Sequence, residues 1–249
     1  MNLKFEFLRS KIIQYDLFLN RLEVNMYGGK KIFSPQYVNR KKEIKEISLF
    51  LQEFEVLKVL DYGCGSAPYK SLEPNKWIGL DIEKNANVDY VIAEHSFPKG
   101  SIHYSHFLCT TALEHMSNIE LFLKNFDEAV PHGTYCLFIV PFMVHEHGSP
   151  SDYHRLTELG VIELFKKYQI LETQRLYGIG FCISHFINIQ IDSMLRKNLV
   201  GHGLRLSLFP FWCFLFSLSN LIGKFVDFML GENSKMLIYN SVLIKFLKI

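Results

Sequence analysis

Short apolar runs alternate with amphipathic stretches through the middle of this chain. Period and composition predict five strands, at 56–61, 76–81, 88–92, 104–109 and 134–140. A helix is predicted over 158–167, and a further strand follows near 168–176. Strands that alternate with helices in this way favour an α/β protein with a doubly wound, largely parallel sheet.

Two of the predicted helices have recognisable starts. Ser117 and Glu120 match a capping box, in which the serine caps the first turn and the glutamate reaches back to it. An apolar face follows and ends at Pro131, which cannot continue a helix. Thr157 stands where an N-cap is needed for the helix over 158–167.

The two ends of the chain differ from this central region. Helical spacing of apolar residues over 1–26 and 36–55 predicts helices. The apolar residues from 235 onward predict a last strand or a strand hairpin. We therefore divide the chain at 1–55, 56–177, 178–234 and 235–249, into N-terminal helices, a core, an apolar helical insertion and a C-terminal strand.

The insertion contains the most apolar segment of the chain. No charged residue occurs from Leu206 to Gly223, a length that is marginal for a membrane span. If 238–247 return to the same sheet, a single crossing would leave them on the wrong side of the membrane. We favour an in-plane helix over 204–230 at the inner face of the plasma membrane. A homodimer interface and added core are the alternatives.

Composition narrows the class of protein. The chain has 249 residues, is 49% hydrophobic and carries a formal net charge of +2, which argues against binding nucleic acid by neutralising phosphates. Its five cysteines are scattered without a Cys-x-x-Cys pair, as expected for reduced thiols in the cytoplasm. The N-terminus mixes charges into its apolar pattern, so we expect no secretory signal.

The candidate chemistry begins at the end of the first predicted strand. Gly63 and Gly65 follow Asp61 in a turn, and Asp81 ends the next strand. Glycines let a ligand approach bare backbone, and an acid after the second strand can accept hydrogen bonds from ribose hydroxyls. Pro68 occupies the place of the third glycine in the dinucleotide fingerprint, and no Gly-Lys-Ser/Thr is present. These residues indicate a nucleoside cofactor and match neither the dinucleotide fingerprint nor a P-loop.

The run from Asp61 to Ala67 resembles motif I of the class I S-adenosylmethionine-dependent methyltransferases. The resemblance implies a seven-stranded Rossmann-like sheet whose last strand is inserted antiparallel, and S-adenosylmethionine as cofactor. It also implies that the N-terminal helices form a lid or cap over the cofactor and that the C-terminal strand completes the sheet. The cofactor-binding residues that it implies are Asp61, Gly63, Cys64, Gly65, Asp81, Ile82, Glu94 and Thr110.

Two later segments extend the resemblance. Ala112-Leu-Glu-His115 resembles the Leu-Glu-His motif that follows strand four in the same family. A signature of the type 11 methyltransferase group is resembled by Pro141-Phe142, His145-Glu146, Pro150, Asp152-Tyr153, Arg155 and Thr157. The most similar members occur with bacterial enzymes of surface-polysaccharide synthesis, which implies O-methylation of a sugar or a lipid-linked glycan intermediate. A quinone, lipid or other small-molecule acceptor is the first alternative. The second is a non-catalytic, membrane-associated interaction protein that keeps the fold.

A sugar hydroxyl is a poor nucleophile and usually needs a general base. We expect His145 to be this base, with Glu146 or Asp152 orienting it, and His115 to contact cofactor or substrate. Asp152 and Arg155 could instead form an ion pair that only shapes the loop. A metal held by His145 and His147, with Asp152 or His154, is the other alternative. We expect no metal, because the pattern resembles a metal-free group.

Overall fold

The computed structural model describes residues 11, 14, 32–35, 41–98, 102–148, 151–196, 204 and 207–249. The helix predicted over 1–26 therefore lies almost entirely outside the described residues, as does Pro150 of the type 11 signature. The chain forms two compact units. The first contains Lys41–Cys182 and Asp227–Ile249, and the second contains Met1–Arg40 and Ile183–Val226.

The first unit is built on a seven-stranded sheet, whose spatial order is β3-β2-β1-β4-β5-β7-β6. The strands are β1 Val59–Tyr62, β2 Trp77–Asp81, β3 Tyr90–Val91, β4 His106–Thr110, β5 Tyr135–Pro141, β6 Gln169–Leu176 and β7 Ser241–Leu247. Strands β1 to β5 pair in parallel. The doubly wound α/β sheet expected from the sequence is confirmed, although β3 is shorter than predicted.

The last strand is inserted antiparallel between β5 and β6. It pairs along its full length with β5, from Tyr135 opposite Leu247 to Pro141 opposite Ser241. A short 3-10 helix, Gly231–Lys235, precedes it, so the residues from 235 onward form one strand and not a hairpin. The topology implied by the resemblance is therefore present.

Apolar layers cover both faces of the sheet, which explains why the sequences of β4 and β5 are almost continuously apolar. One face carries a cluster of aromatic side chains. The other is covered by helix α1, Lys41–Glu53, whose Ile47 and Phe50 are fully buried against Leu108 and Leu137. This helix packs on the sheet, and its expected role as part of a cofactor lid stays a prediction.

Helix α2, Ile119–Ala129, starts differently from the prediction. The N-cap is Asn118, whose side-chain oxygen accepts a hydrogen bond from the Leu121 amide at 2.9 Å. The predicted capping box is wrong, because the Ser117 hydroxyl donates instead to Glu94 at 2.7 Å. At the other end of α2 the buried Lys248 ammonium donates to three backbone carbonyls, those of Phe126, Asp127 and Val130.

Helix α3, Glu158–Phe165, begins as predicted. The Thr157 hydroxyl accepts a hydrogen bond from the Gly160 amide at 3.2 Å. The helix is short, and Val161 and Phe165 bury its inner side in the aromatic cluster. Thr157 thus marks the point where the loop after β5 returns to regular structure.

Helices α4, Ile179–Arg196, and α5, Phe209–Leu230, supply most of the described part of the second unit. Asn188 of α4 donates to Asn220 of α5 at 3.0 Å, and both side chains are buried. Asn220 also donates to the carbonyls of Ile32 and Ser34. The polar residue that weakens α5 as a membrane span therefore faces inward, where it joins three segments of the unit.

Candidate active site

The glycine turn that follows β1 leaves backbone open to a ligand. Gly63 and Gly65 have φ of 71° and 50°, in the left-handed region that glycine adopts freely. A Cβ at Gly63 would lie 2.5 Å from the Ala112 Cβ, so this position requires glycine. A Cβ at Gly65 would meet nothing within 4 Å. The turn is therefore packed against Ala112 at Gly63 and has free space beside Gly65.

Asp81 lies at the end of β2 and is hydrogen-bonded to this turn. Its Oδ2 accepts from the Gly65 amide at 2.8 Å, and its Oδ1 accepts from the Glu83 amide at 3.0 Å. The exposed Ile82 follows directly. The structure thus brings together two of the predicted cofactor elements, the glycine turn and the acid for ribose.

Asp61 is buried at the end of β1, beside the same turn. Its Oδ2 accepts from the Trp77 indole N–H at 3.1 Å, while Oδ1 has no hydrogen-bond partner in the described part of the chain. Burial raises the pKa of Asp61 to about 7; the Trp77 hydrogen bond opposes this shift and the charge of Asp81 adds to it. A buried acceptor without a partner is costly, so the arrangement favours a donor from a ligand.

The other predicted cofactor residues surround this turn less directly. Cys64 is buried, and burial together with the nearby carboxylates raises the pKa of its thiol to about 12, which makes it inert as a nucleophile. Thr110 is buried at the end of β4. Glu94 accepts from both the amide and the hydroxyl of Ser117, at 2.8 and 2.7 Å. Its carboxylate therefore joins two loops, and its contact with a cofactor stays a prediction.

A second group of polar residues follows β4, the neighbouring parallel strand. Leu113–His115 form a 3-10 turn in which Glu114 is fully buried. Among the described residues neither carboxylate oxygen of Glu114 has a hydrogen-bond partner, and His115 Nε2 lies 3.8 Å from Oε1. Burial raises the pKa of Glu114 to about 8, against the effects of its own amide and of the Arg155 charge.

The loop after β5 is held by an ion pair between Asp152 and Arg155. Asp152 also accepts from the His147 amide at 3.0 Å. Burial alone would raise the pKa of Asp152, but hydrogen bonds from Arg155 and His147 outweigh it and lower the pKa to about 2. Arg155 donates further to three backbone carbonyls, those of Val144, His145 and His154. The ion pair considered as an alternative from the sequence is present and shapes this loop.

The predicted catalytic residues only partly converge. His145 is half-buried, and burial followed by the charges of His147 and Arg155 lowers its pKa. Glu146 is exposed and makes no hydrogen bond or ion pair with any described residue, and its expected role in orienting His145 stays a prediction. His115 and the loop meet, since His115 Nδ1 lies 2.6 Å from the Ser151 carbonyl oxygen.

The structure adds two residues to this group that were not predicted as site residues. From the sequence, Glu114 is part of a motif, and His147 is one of the candidate bases and an alternative metal ligand. The carboxyl ends of β4 and β5 are adjacent, so residues that follow these strands meet at one edge of the sheet. The rings of His115 and His147 are 5.0 Å apart and nearly perpendicular.

No protein-family model matches this sequence, and no curated protein matches it either. Similar solved structures include a putative sarcosine dimethylglycine methyltransferase from Galdieria sulphuraria, 13% identical, covering 94% of this chain and 97% of that one with a TM-score of 0.51. Coclaurine N-methyltransferase bound to N-methylheliamine and S-adenosylhomocysteine is 14% identical, covering 83% and 70%, with a TM-score of 0.50. The cyclase SpnF is 10% identical, covering 83% and 80%, with a TM-score of 0.51.

These likenesses, together with the strand order, show that the chain has the class I methyltransferase fold. Identities this low concern the fold alone. The presence of a cyclase among the similar structures shows that the fold hosts more than one reaction, so the reaction must be argued from the site.

Proposed function

We propose that this protein transfers a methyl group from S-adenosylmethionine to a hydroxyl oxygen of a sugar or a lipid-linked glycan intermediate. The observation that carries the cofactor proposal is the unpartnered, buried Oδ1 of Asp61 beside the open backbone of Gly65. A ligand that brings a cationic donor to Asp61 and passes over Gly65 would satisfy both. S-adenosylmethionine has such a donor in its amino group.

The residues present fit the rest of this cofactor. The Asp81 carboxylate ends β2 and can accept hydrogen bonds from the two ribose hydroxyls. We propose that the remaining contacts with the cofactor are made by Cys64, Ile82, Glu94 and Thr110. When bound, the cofactor supplies a methyl group on a positively charged sulfur. Coclaurine N-methyltransferase, which shares the fold, binds S-adenosylhomocysteine, the demethylated form of this cofactor.

The acceptor is proposed to bind beyond β4 and β5, where polar groups are concentrated. Transfer requires the acceptor oxygen to lie in line with the methyl carbon and the sulfur. His145 remains our proposed base, because its lowered pKa keeps the ring neutral and able to take a proton at pH 7. Asp152 is proposed to act as a positioning residue through His147 and Arg155.

The proposed acceptor class is based on the resemblance of the sequence to the type 11 group. Activity assays must therefore compare glycans with other small-molecule acceptors.

We propose a cytoplasmic protein that contacts the inner membrane face through 204–230. Helix α5 supports this, because it is the one described helix long and apolar enough to cross a membrane and most of it is exposed. If α5 crossed the membrane once, β7 would lie on the opposite side from β5 and β6, the strands with which it pairs. A helix that lies in the membrane plane keeps these strands together.

Calorimetric titration tests the cofactor proposal. Wild-type protein should bind S-adenosylmethionine and S-adenosylhomocysteine, and Asp81→Ala should weaken both at least about tenfold because it removes a charged acceptor. Glu83→Ala is the matched control, since it removes an exposed carboxylate two residues away. Wild-type protein that is folded and binds neither compound would disprove the proposal.

Turnover needs a separate measurement. Transfer of labelled methyl groups to nucleotide sugars and lipid-linked glycans should occur with wild-type protein and fall at least about a hundredfold in His145→Gln, which loses the proposed base. Binding of the cofactor with no transfer to any acceptor would favour the non-catalytic alternative. Transfer to quinones or lipids alone would reject the glycan proposal and keep the methyltransferase.

A further inference from the structure

Glu114, His115 and His147 form a cluster with the donor set of a metal site. Each offers one ligand atom, and these three atoms lie within 4.8 Å of one another. All three residues belong to the unit that contains the sheet. Glu114 and His115 follow β4, and His147 follows β5, so the sheet itself brings the two segments together.

The strongest indication of a ligand is the state of Glu114. Its side chain is fully buried, and neither oxygen has a hydrogen-bond partner among the described residues. Leaving a carboxylate buried without partners costs several kcal/mol, whereas buried charges in proteins are normally paired or bound to a metal. The nearest basic group is His115 Nε2, which lies 3.8 Å from Oε1, too far for a hydrogen bond.

The hydrogen bonds of the two histidines leave the same ring nitrogen available in each. His115 Nδ1 lies 2.6 Å from the Ser151 carbonyl oxygen. His147 Nδ1 lies 3.0 Å from the His145 carbonyl oxygen and 3.3 Å from Asp152 Oδ2. These oxygens only accept, so Nδ1 carries the hydrogen in each ring, and the neutral form of each ring has its lone pair on Nε2. Histidines that bind metals typically donate their other N–H to a carbonyl or carboxylate in this way.

The charges around the cluster suit a divalent cation. Asp152 is already neutralised by Arg155, so it positions His147 and is not a free ligand. Glu114 supplies one negative charge once the ion displaces its proton. Two imidazoles and one carboxylate favour first-row transition metals over Mg²⁺ or Ca²⁺, which prefer oxygen ligands. Bonds of about 2.1 Å allow ligand atoms at most about 4.2 Å apart. The upper limit of 4.8 Å on the separations in this cluster is close to that value.

We propose that Glu114, His115 and His147 bind a divalent first-row transition-metal ion. Three protein ligands leave coordination positions open, as in catalytic sites. The role of the ion rests on the proposed function. Bound to the ion, an acceptor hydroxyl would be more acidic and would give its proton to His145, the proposed base. Its oxygen would then form the bond to the methyl carbon while the carbon–sulfur bond breaks and its electron pair passes to sulfur. This proposal replaces the expectation from the sequence that the site works without metal.

Ion binding is measured on tag-free, metal-stripped full-length protein without cofactor. Titration with ZnCl₂ should show about one ion per chain, MgCl₂ should bind far more weakly, and CoCl₂ should give visible absorption from bound Co²⁺. Glu114→Gln and His147→Gln should each weaken Zn²⁺ binding at least about tenfold. His132→Gln is the matched control, because His132 is exposed and distant in sequence from the cluster.

The same preparations separate this proposal from the proposed function. Circular dichroism checks that each variant is folded, and S-adenosylhomocysteine binding should survive in Glu114→Gln and His147→Gln. Absence of Zn²⁺ and Co²⁺ binding by wild-type protein, or equal binding by His147→Gln, would overturn the metal site. Metal binding without cofactor binding would leave the site standing and reject the proposed function.

Discussion

Asp61 is the residue on which the cofactor proposal depends most. Its carboxyl group is buried, satisfied on one oxygen by Trp77 and unpartnered on the other among the described residues. Burial raises its pKa to about 7, so the group changes charge within the range in which most assays are done. The affinity for a cationic ligand should therefore depend on pH.

We expect the affinity for S-adenosylhomocysteine to rise between pH 6 and pH 8, because Asp61 ionises over this interval and then attracts the ligand's ammonium group. Calorimetry at several pH values measures this. Asp61→Asn should bind at least about tenfold more weakly at pH 8 and show a flat profile. Glu83→Gln, which alters an exposed carboxylate, should keep the wild-type profile. A wild-type affinity independent of pH would contradict the role given to Asp61.

The stability of the ligand-free protein supplies a second readout for the same residue. The folded-state pKa of Asp61, about 7, lies above the ordinary aspartate pKa of 3.8. Below about pH 4, neutral Asp61 therefore makes its full contribution to the free energy of unfolding. This contribution decreases as the pH rises and is lost once the pH has passed about 7. Asp61→Asn should not show this decline. Urea unfolding between pH 4 and pH 7 should therefore show its free energy of unfolding increasing relative to that of the wild type.

At the residue scale the sequence predicted which proposed cofactor residues lie together better than it predicted the grouping on the proposed acceptor side. Asp61, Gly65 and Asp81 belong to a local motif, because they lie at or just after the ends of two neighbouring strands. Glu114 and His147 meet only because β4 and β5 are neighbours, and their burial and hydrogen bonds depend on tertiary contacts. No local pattern could show that Glu114 lacks a hydrogen-bond partner among the described residues.

The elements show where local and tertiary signals compete. Ser117 and Asn118 are both good N-cap residues, and sequence spacing favoured Ser117. Glu94, which lies across a loop, takes the Ser117 hydroxyl, so the cap passes to Asn118. Thr157 has no such competitor and caps α3 as predicted. Strand β3 pairs with β2 over only two residues, a length that its apolar pattern could not indicate.

The C-terminal end of α2 depends on one buried lysine. Lys248→Met should lower the free energy of unfolding by about 2 kcal/mol, because three helix-end carbonyls lose a charged donor. Urea denaturation measures the change. Lys166→Met removes an exposed pair with Glu163 and should cost less than about 0.5 kcal/mol. Equal effects of the two substitutions would show that Lys248 does not stabilise this helix end.

At the scale of the whole molecule, the sequence predicted the sheet and the helical insertion but not what the insertion contacts. The reason is physical: apolar residues on a helix favour a membrane surface, a second copy and a protein core alike. Asn188 and Asn220 show which side of α5 faces inward. The outward side carries large aromatic residues, among them Phe214, Phe225 and Phe228.

Membrane contact should be visible by co-sedimentation with phospholipid vesicles. Wild-type protein should bind them, and the double variant Phe214→Ser with Phe225→Ser should lose most binding, because both side chains are 62% exposed and available to insert. Leu159→Ser, which alters an exposed leucine on α3, should bind like wild type. A wild-type protein that ignores vesicles and sediments as a dimer would instead support the interface alternative.

The inserted last strand also has a consequence for biosynthesis. Strand β7 supplies ladder partners to β5 and β6, yet α4 and α5 are made between β6 and β7. While the nascent chain emerges, β5 has an open backbone edge and β6 has no partner among the described strands. Such long-range pairing slows folding, and unpaired edges favour aggregation. The pairing of β7 with β5 and β6 is therefore the folding step at which a chaperone would most improve the yield of native protein.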